Sequence, residues 1–289
     1  MNDIIVIVGP TGVGKTKLSI ELAKKLDAEV INGDSVSIYK SLDIGSAKPR
    51  KEEMDGVVHH LIDIREVEDD YTVFDYQKDV RNLIEDINSR GKRIIIVGGT
   101  GLYIKAALYD YNFKREENKY DFSELSNLDL YTRLKEYGDF EVHINNRQRL
   151  ERLLTKCLND SDNSNNKDKL LYPIKVIGLT CDRDLLYKRI NSRVDKMLND
   201  GLVDEVISLK DKYNISRVLN SAIGYKEFYD YLFKDLSFDR VVDKIKLDSR
   251  RYAKRQYTFF RNQFDVEWFD VDFDNFDSTI NEVFEYIKR

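Results

Sequence analysis

The sequence predicts an α/β fold built on a parallel sheet, and three observations carry that prediction. Ile4-Ile5-Val6-Ile7-Val8 and Ile94-Ile95-Ile96-Val97 are apolar at every residue, which suits strands covered on both faces. Segments with apolar residues spaced i, i+3, i+4, i+7 alternate with these runs, as helices alternate with parallel strands. The first run leads directly into Gly9-Pro10-Thr11-Gly12-Val13-Gly14-Lys15-Thr16. That is the phosphate-cradling pattern GxxxxGK[ST], set between a strand and a helix.

After the loop, Leu18, Leu22 and Leu26 share one helical face. Glu29–Asn32 reads as a second short strand ending in Gly33-Asp34-Ser35, and Val80, Leu83, Ile84 and Ile87 mark a further helix that Gly91 terminates. The strand at 94–97 ends in Gly98-Gly99-Thr100-Gly101. From about Phe113 the texture changes: residues 113–145 are polar, Tyr-rich and weakly periodic, whereas 147–158 is helical, with Leu150, Leu153, Leu154 and Cys157 on one stripe. Asn159–Lys169 has the composition of a solvated loop. The buried-strand pattern returns at Ile174–Leu179, and helices are expected from there to the end, the first with Leu186, Ile190, Val194 and Met197 as its stripe. The resulting expectation is a P-loop NTPase-like parallel sheet flanked by helices. Residues 1–112 and 171–289 form the core, and 113–170 form a mostly helical insertion domain.

Bulk properties narrow the function. With 289 residues, 42% of them hydrophobic, the chain can bury a sizeable core. Charged residues make up 34%, but the net charge is only −5, so any nucleic-acid site must be a local patch. Cys157 and Cys181 form no CxxC pair and read as structural thiols of a reducing cytoplasm. No apolar stretch reaches membrane-spanning length, and the short N-terminal run does not read as a signal peptide. The histidines His59, His60 and His143 lack metal-ligand spacing, so no zinc site is expected.

Several residues carry candidate chemistry. Backbone N–H groups of the glycine-rich loop and the helix N-terminus behind it suit phosphate, Lys15 adds a point charge, and Thr16 offers a hydroxyl to phosphate-bound Mg²⁺. Asp34 lies at a strand's carboxyl end, where open α/β sheets bind ligands. It is read either as a turn-capping residue or as a general base or Mg²⁺-sphere carboxylate. Gly98-Gly99-Thr100 stands where an ATP-hydrolysing enzyme would carry a metal-binding Asp, which argues against a motor-type ATPase. Residues 244–261 hold seven Lys or Arg against Asp248 alone, with aromatics interleaved, and suit either a nucleic-acid backbone or a solvated helix face.

In order along the chain, these segments resemble the tRNA dimethylallyltransferase (isopentenyl-tRNA transferase, IPP transferase) family. The resemblance rests on the 9–16 loop, Asp34-Ser35 with Ile38-Tyr39-Lys40, and Leu42-Asp43-Ile44-Gly45-Ser46-Ala47-Lys48-Pro49. It continues through His59-His60-Leu61-Ile62-Asp63, Phe74-Asp75-Tyr76 and Val97 to Tyr103. Beyond the insertion come Gln148-Arg149-Leu150-Glu151-Arg152, Ile223-Gly224-Tyr225-Lys226-Glu227 and Arg251 to Gln256. The chain departs from the family pattern at Ser46, usually Thr, at Phe259, usually Trp, and at Ser221-Ala222, where some members carry Arg or Gln.

The resemblance implies transfer of a dimethylallyl group from dimethylallyl diphosphate to N6 of the adenine immediately 3′ of the anticodon, with release of diphosphate. Asp34 would be the general base, and Thr100 would hydrogen-bond the bridging oxygen or the amine. Gly9, Pro10, Thr11, Gly12, Val13, Gly14, Lys15 and Thr16 would hold the diphosphate in place of a nucleotide, with Mg²⁺ at Thr16. Contacts to tRNA would come from Asp34, Ser35, Val36, Ser37 and Thr100, from Gln148, Arg149, Leu150, Glu151 and Arg152, and from Lys254 and Arg255. A monomeric, cytoplasmic enzyme with no membrane partner is expected. A P-loop kinase and a non-catalytic RNA-binding protein are the alternatives. The kinase leaves the basic stretch and the insertion unused, and the binding protein has no need of Asp34 or Thr100.

Overall fold

The computed structural model describes residues 3–111, 113, 120–159, 169–213, 216–233 and 236–289. The chain divides into two compact units, Met1–Tyr109 with Lys169–Arg289, and Asp110–Asp168. The larger unit holds the expected parallel sheet. Its strands are β1 (Ile4–Val8), β2 (Ala28–Asn32), β3 (His59–His60), β4 (Arg93–Val97), β5 (Ile174–Thr180) and β6 (Glu267–Asp270), in the order β3-β2-β4-β1-β5-β6. Every neighbouring pair is parallel, so all the strand carboxyl ends reach one edge. Helices α1 (Lys15–Leu26), α2 (Val73–Ser89) and α3 (Gly101–Leu108) follow strands in the first half, and α4 (Asn127–Glu136) and α5 (Arg147–Leu158) belong to the smaller unit. The second half carries α6 (Arg183–Asn199), α7 (Leu202–Lys212), α8 (Arg217–Ser221), α9 (Lys226–Phe233), α10 (Phe238–Gln263) and α11 (Phe276–Lys288). None of the described helices is long and apolar enough to cross a membrane.

The uninterrupted apolar run of β1 is explained by its two faces. Ile4, Val6 and Val8 pack into one core with Tyr76, Ile84 and Tyr225, while Ile5 and Ile7 pack into the other with Leu18, Leu22 and Val283. Side chains alternate across a strand, so a strand buried on both sides must be apolar throughout. The start of α2 follows from a capping box between Thr72 and Asp75, and Gly91, at φ 73°, follows its C-terminal end.

Three elements depart from expectation. Strand β3 is two residues long and has no apolar run to announce it. Strand β6 interrupts the expected terminal helices; it is an edge strand in which only Phe269 is fully inside, so its pattern is weak. Helix α4 lies in the polar segment and buries only Leu130 and Leu134, its N-terminus being set by Ser126 and Asp129. Together with Phe122, Leu150 and Leu154 these leucines form the core of the smaller unit. Residues 160–168 of the expected loop lie outside the described residues.

A polar knot fastens the β2 side of the sheet. Glu29 accepts a hydrogen bond from Arg90 Nη2 at 2.8 Å and lies 2.7 Å from His60 Nε2. The Arg90 guanidinium, with help from His60, holds the Glu29 carboxyl down to about 2 against the usual 4.5. A carboxylate depressed in the folded state stabilises it fully above 4.5, and this contribution is lost as pH falls toward 2. Glu29→Gln is therefore expected to lower stability by about 1–2 kcal/mol at neutral pH. Urea midpoints measured between about pH 6 and pH 3 should fall less steeply in this variant than in the parent.

Candidate active site

A cavity of about 410 Å³ opens at the carboxyl edge of the sheet, walled by the loops that leave β1, β2 and β4 and by α6 and α10. The loop after β1 contributes Thr11, Lys15 and Thr16 to it. Gly14 caps α1 in the left-handed region at φ 104°, and a Cβ there would sit 2.7 Å from the Phe276 ring, so only glycine can turn the chain into the helix at this point. Val13 is fully buried and anchors the loop in the core. Lys15 Nζ donates to the carbonyl oxygens of Gly9 and Pro10 at 2.9 and 2.8 Å. Burial, followed by the nearby Arg193 charge, pulls the Lys15 amine down to about 7, with Asp34 opposing the shift.

The end of β2 holds Asp34 rigidly. The Asn32 amide donates to the carbonyl oxygens of Asp34 and Leu61, and its own oxygen accepts the Asp34 N–H at 3.0 Å. Asp34 Oδ1 accepts the Val36 N–H at 3.0 Å, while Oδ2 has no hydrogen-bond partner among the described residues. Asp34 is the one carboxylate among the described residues that line the cavity. Ser35, Val36 and Ser37 continue the same wall.

Thr100 immediately precedes α3. Its hydroxyl accepts the Ser35 N–H at 3.0 Å and donates to Ser35 Oγ at 3.2 Å, binding the end of β4 to the end of β2. The cavity wall at this point is made by Gly98 and Gly99. A Cβ at Gly98 would lie 2.1 Å from the Gly33 carbonyl carbon, so the two turns meet backbone to backbone.

Sequence reasoning assigned no role to three residues that the fold brings here. Arg193, on α6, lines the cavity and donates from Nη2 to the Ser46 carbonyl at 3.4 Å; burial lowers its guanidinium, and Asp34 partly offsets that. Its position beside the apolar stripe of α6 gave no signal, because periodicity registers only the apolar face. Tyr252 and Gln256, on α10, were visible only as part of the Arg251–Gln256 segment. Burial, reinforced by the Asp34 charge, pushes the Tyr252 hydroxyl up, so it remains a donor and reaches the Gly99 carbonyl at 3.4 Å. Gln256 is buried; its oxygen accepts the Thr11 N–H at 2.9 Å and its nitrogen donates to the Gly99 carbonyl at 3.2 Å.

The basic stretch of α10 is not one surface. Lys246 pairs with Asp195 at 2.5 Å, Arg250 donates to Asn191 at 2.6 Å, and Arg261 lies over the Tyr257 and Trp268 rings. Phe260 is core. Lys254 and Arg255 are exposed, and Arg255 also borders the cavity. In the smaller unit, Gln148, Arg149 and Arg152 are exposed on α5. Glu151 pairs with Arg147 at 2.7 Å. Leu150 is fully buried against Leu130 and Leu134, so its side chain packs that unit instead of meeting RNA; the i, i+4 spacing with Leu154 is the reason.

Residues 37–263 match the family model described as IPP transferase. The chain belongs to this family. A tRNA dimethylallyltransferase of Geobacillus thermodenitrificans is 46% identical over 302 residues, covering 98% of this chain and 96% of the relative. The solved tRNA isopentenylpyrophosphate transferase of Bacillus halodurans is 40% identical with a TM-score of 0.78, covering 100% of this chain and 97% of the other. A eukaryotic dimethylallyltransferase described as acting on tRNA is 28% identical with a TM-score of 0.81, covering 98% and 77%.

The Lys15 amine gives a direct test of anion binding at this loop. An amine near 7 is about half protonated at neutral pH, and a bound diphosphate favours the charged form. Inorganic pyrophosphate is therefore expected to bind with proton uptake, and its affinity should weaken as pH rises from about 7 to 9, by at most about tenfold per unit. Calorimetry in buffers of different ionisation enthalpy measures the uptake, and Lys15→Met should remove it.

Proposed function

We propose that this chain transfers a dimethylallyl group from dimethylallyl diphosphate to N6 of the adenine immediately 3′ of a tRNA anticodon. The observation that carries this reading is the sharing of one cavity by Lys15, Arg193 and the half-free carboxylate of Asp34, in a chain of the IPP transferase family. The cations suit a diphosphate, and Ala47, Pro49, Val194, Met197, Ile223 and Ile245 offer an apolar wall to a five-carbon group.

In the reaction, the adenine N6 bonds to C1 of the dimethylallyl group as the C1–oxygen bond to diphosphate breaks. Asp34 Oδ2 takes the N6 proton, while Oδ1 stays fixed by the Val36 N–H. Lys15, Arg193 and the loop N–H groups stabilise the charge growing on the leaving diphosphate. Thr100 acts by holding Ser35 and the Asp34 turn in register. A magnesium ion fits the donor set: Thr16 and phosphate oxygens would hold it with water, and when bound it supplies charge neutralisation at the diphosphate. A stacked adenine cannot reach Asp34, so the base must leave the anticodon loop stack. Lys254 and Arg255 hold the RNA backbone near the cavity, and Gln148, Arg149 and Arg152 contact the stem-loop. The proposed enzyme acts as a monomer, in the cytoplasm where tRNA is modified.

Incubation with labelled dimethylallyl diphosphate, Mg²⁺ and unmodified tRNA should place label in the tRNA. Steady ATP hydrolysis without tRNA, and no label transfer, would instead favour a kinase or ATPase. Asp34→Asn is expected to lower the transfer rate about 10²–10⁴-fold while tRNA affinity changes only a few-fold. Lys254→Ala/Arg255→Ala should weaken cognate and unrelated tRNAs alike and reduce the slope of log affinity against log salt by about 1–2. Filter binding across a salt series reads both effects.

A further inference from the structure

Glu205, on α7, is a carboxylate that the proposed chemistry does not use. Its Oε2 accepts the N–H groups of Asp43 and Ile44 at 3.1 and 2.8 Å. Its Oε1 accepts the Gly45 N–H at 3.1 Å and the Tyr225 hydroxyl at 2.7 Å. Three consecutive backbone N–H groups converging on one anion form a concavity of the kind that elsewhere binds phosphate. Here the protein fills it with its own side chain.

The segment held in this way forms part of the cavity. Gly45, Ser46, Ala47 and Pro49 line it, and so do Ile223 and Gly224, just before Tyr225. The 43–49 segment is outside the sheet; Ala47 N–H donates to Ile44 and Lys48 N–H to Asp43. Ser46 Oγ donates to the Leu42 carbonyl, and Lys48 Nζ reaches the Asp43 carboxylate at 2.7 Å and the Tyr39 carbonyl at 2.9 Å. Glu205 thus supplies the hold at the 43–45 end of the segment. Its backbone comes so close to the fully buried Tyr225 ring that a Cβ at Gly45 would lie 2.5 Å away. Burial beside Glu205 pushes the Tyr225 hydroxyl up, so it remains a donor to that carboxylate. The Ser46 carbonyl accepts from Arg193, which ties this wall to the cation expected at the diphosphate.

We propose that Glu205 is a positioning residue for the prenyl-diphosphate site: its carboxylate locks the 43–49 segment against the Ile223–Tyr225 turn, so that the cavity wall is in place before the donor binds. The proposal rests on the function argued above. A wall ordered in advance spares the donor the cost of ordering it, so loss of the clasp appears in donor affinity more than in turnover.

The test compares Glu205→Gln and Tyr225→Phe with the parent protein. Three measurements decide: hydrogen exchange at the Asp43, Ile44 and Gly45 amides, calorimetric affinity for inorganic pyrophosphate, and steady-state kinetics alongside tRNA affinity. Glu205→Gln keeps one acceptor oxygen but turns an NH₂ toward a backbone donor. It is expected to speed amide exchange, raise the donor KM about tenfold, weaken pyrophosphate to a similar degree, and leave kcat and tRNA affinity within about threefold. Tyr225→Phe keeps the ring against Gly45 and should show a smaller rise in KM. Faster exchange with unchanged donor KM and pyrophosphate affinity would overturn the proposal, as would equal losses of donor and tRNA affinity. If Glu205→Gln does not fold, Tyr225→Phe decides by the same criteria. Failure of the parent itself to prenylate tRNA would refute the proposed function, while amide exchange and pyrophosphate affinity would still decide the role of the clasp.

Discussion

The site depends on the backbone junction of three strand ends. The Gly98 N–H donates to the Ile7 carbonyl at 3.2 Å, the Gly33 N–H to the Val97 carbonyl at 2.7 Å, and the Thr100 N–H to the Gly33 carbonyl at 3.0 Å. These bonds join β1, β2 and β4 beyond their ladders, at the edge where every parallel strand ends. They require Gly98 to lie against Gly33 with no room for a side chain. Because the junction is backbone, the loop after β1 and the turn carrying Asp34 have a fixed separation that no side-chain rotamer can alter. Preorganised placement of this kind lets charged groups act on a reaction without first rearranging.

Helix α10 extends the junction to a fourth element. Gln256 joins the Thr11 N–H to the Gly99 carbonyl, so the loop after β1 and the β4 turn share one side chain. Lys254, two residues before it, is exposed, and Arg255 is exposed while also bordering the cavity. The helical period thus puts the exposed Lys254 charge and a loop-holding amide on opposite faces of a single turn. Arg250 and Lys246 use their charge on α6 instead, through Asn191 and Asp195. Much of the basic stretch is therefore the means by which α10 is seated, and a small remainder is left for a polyanion.

What the sequence could reveal followed from how each feature is encoded. Strands β1 and β4 stand out as apolar runs and β5 as one broken by Lys175 and Gly178, and α5 was legible at its observed bounds because Leu150 and Leu154 repeat at helical spacing. Strands β3 and β6 are short and lie at the two edges of the sheet, where burial demands little of the sequence. The glycine-rich loop and Asp34 could be singled out from sequence because the pattern that marks each is local to a few residues, and both line the cavity. Arg193, Tyr252 and Glu205 were not, because each acts across more than a hundred residues of chain. The bond between the Thr100 hydroxyl and the Ser35 N–H was not legible either; a motif gives a residue's position, but this contact spans 65 residues of chain.

Electrostatics explain why this loop suits a diphosphate without a carboxylate on β4. Lys15 and Arg193 face a cavity whose one described acidic group is Asp34, so the local charge is positive although the chain as a whole carries −5. Holding two cations out of water is costly, and the downward shift of both groups expresses that cost. The carbonyl oxygens of Gly9 and Pro10 offset it in part by accepting from Lys15. An acidic residue on β4 would relieve the cations within the protein and leave less of their charge for a ligand. Without it, the relief must come from what binds, and a compact anion carrying several charges supplies it best. In the proposed reaction, the same positive field would stabilise a leaving group more as its charge grows.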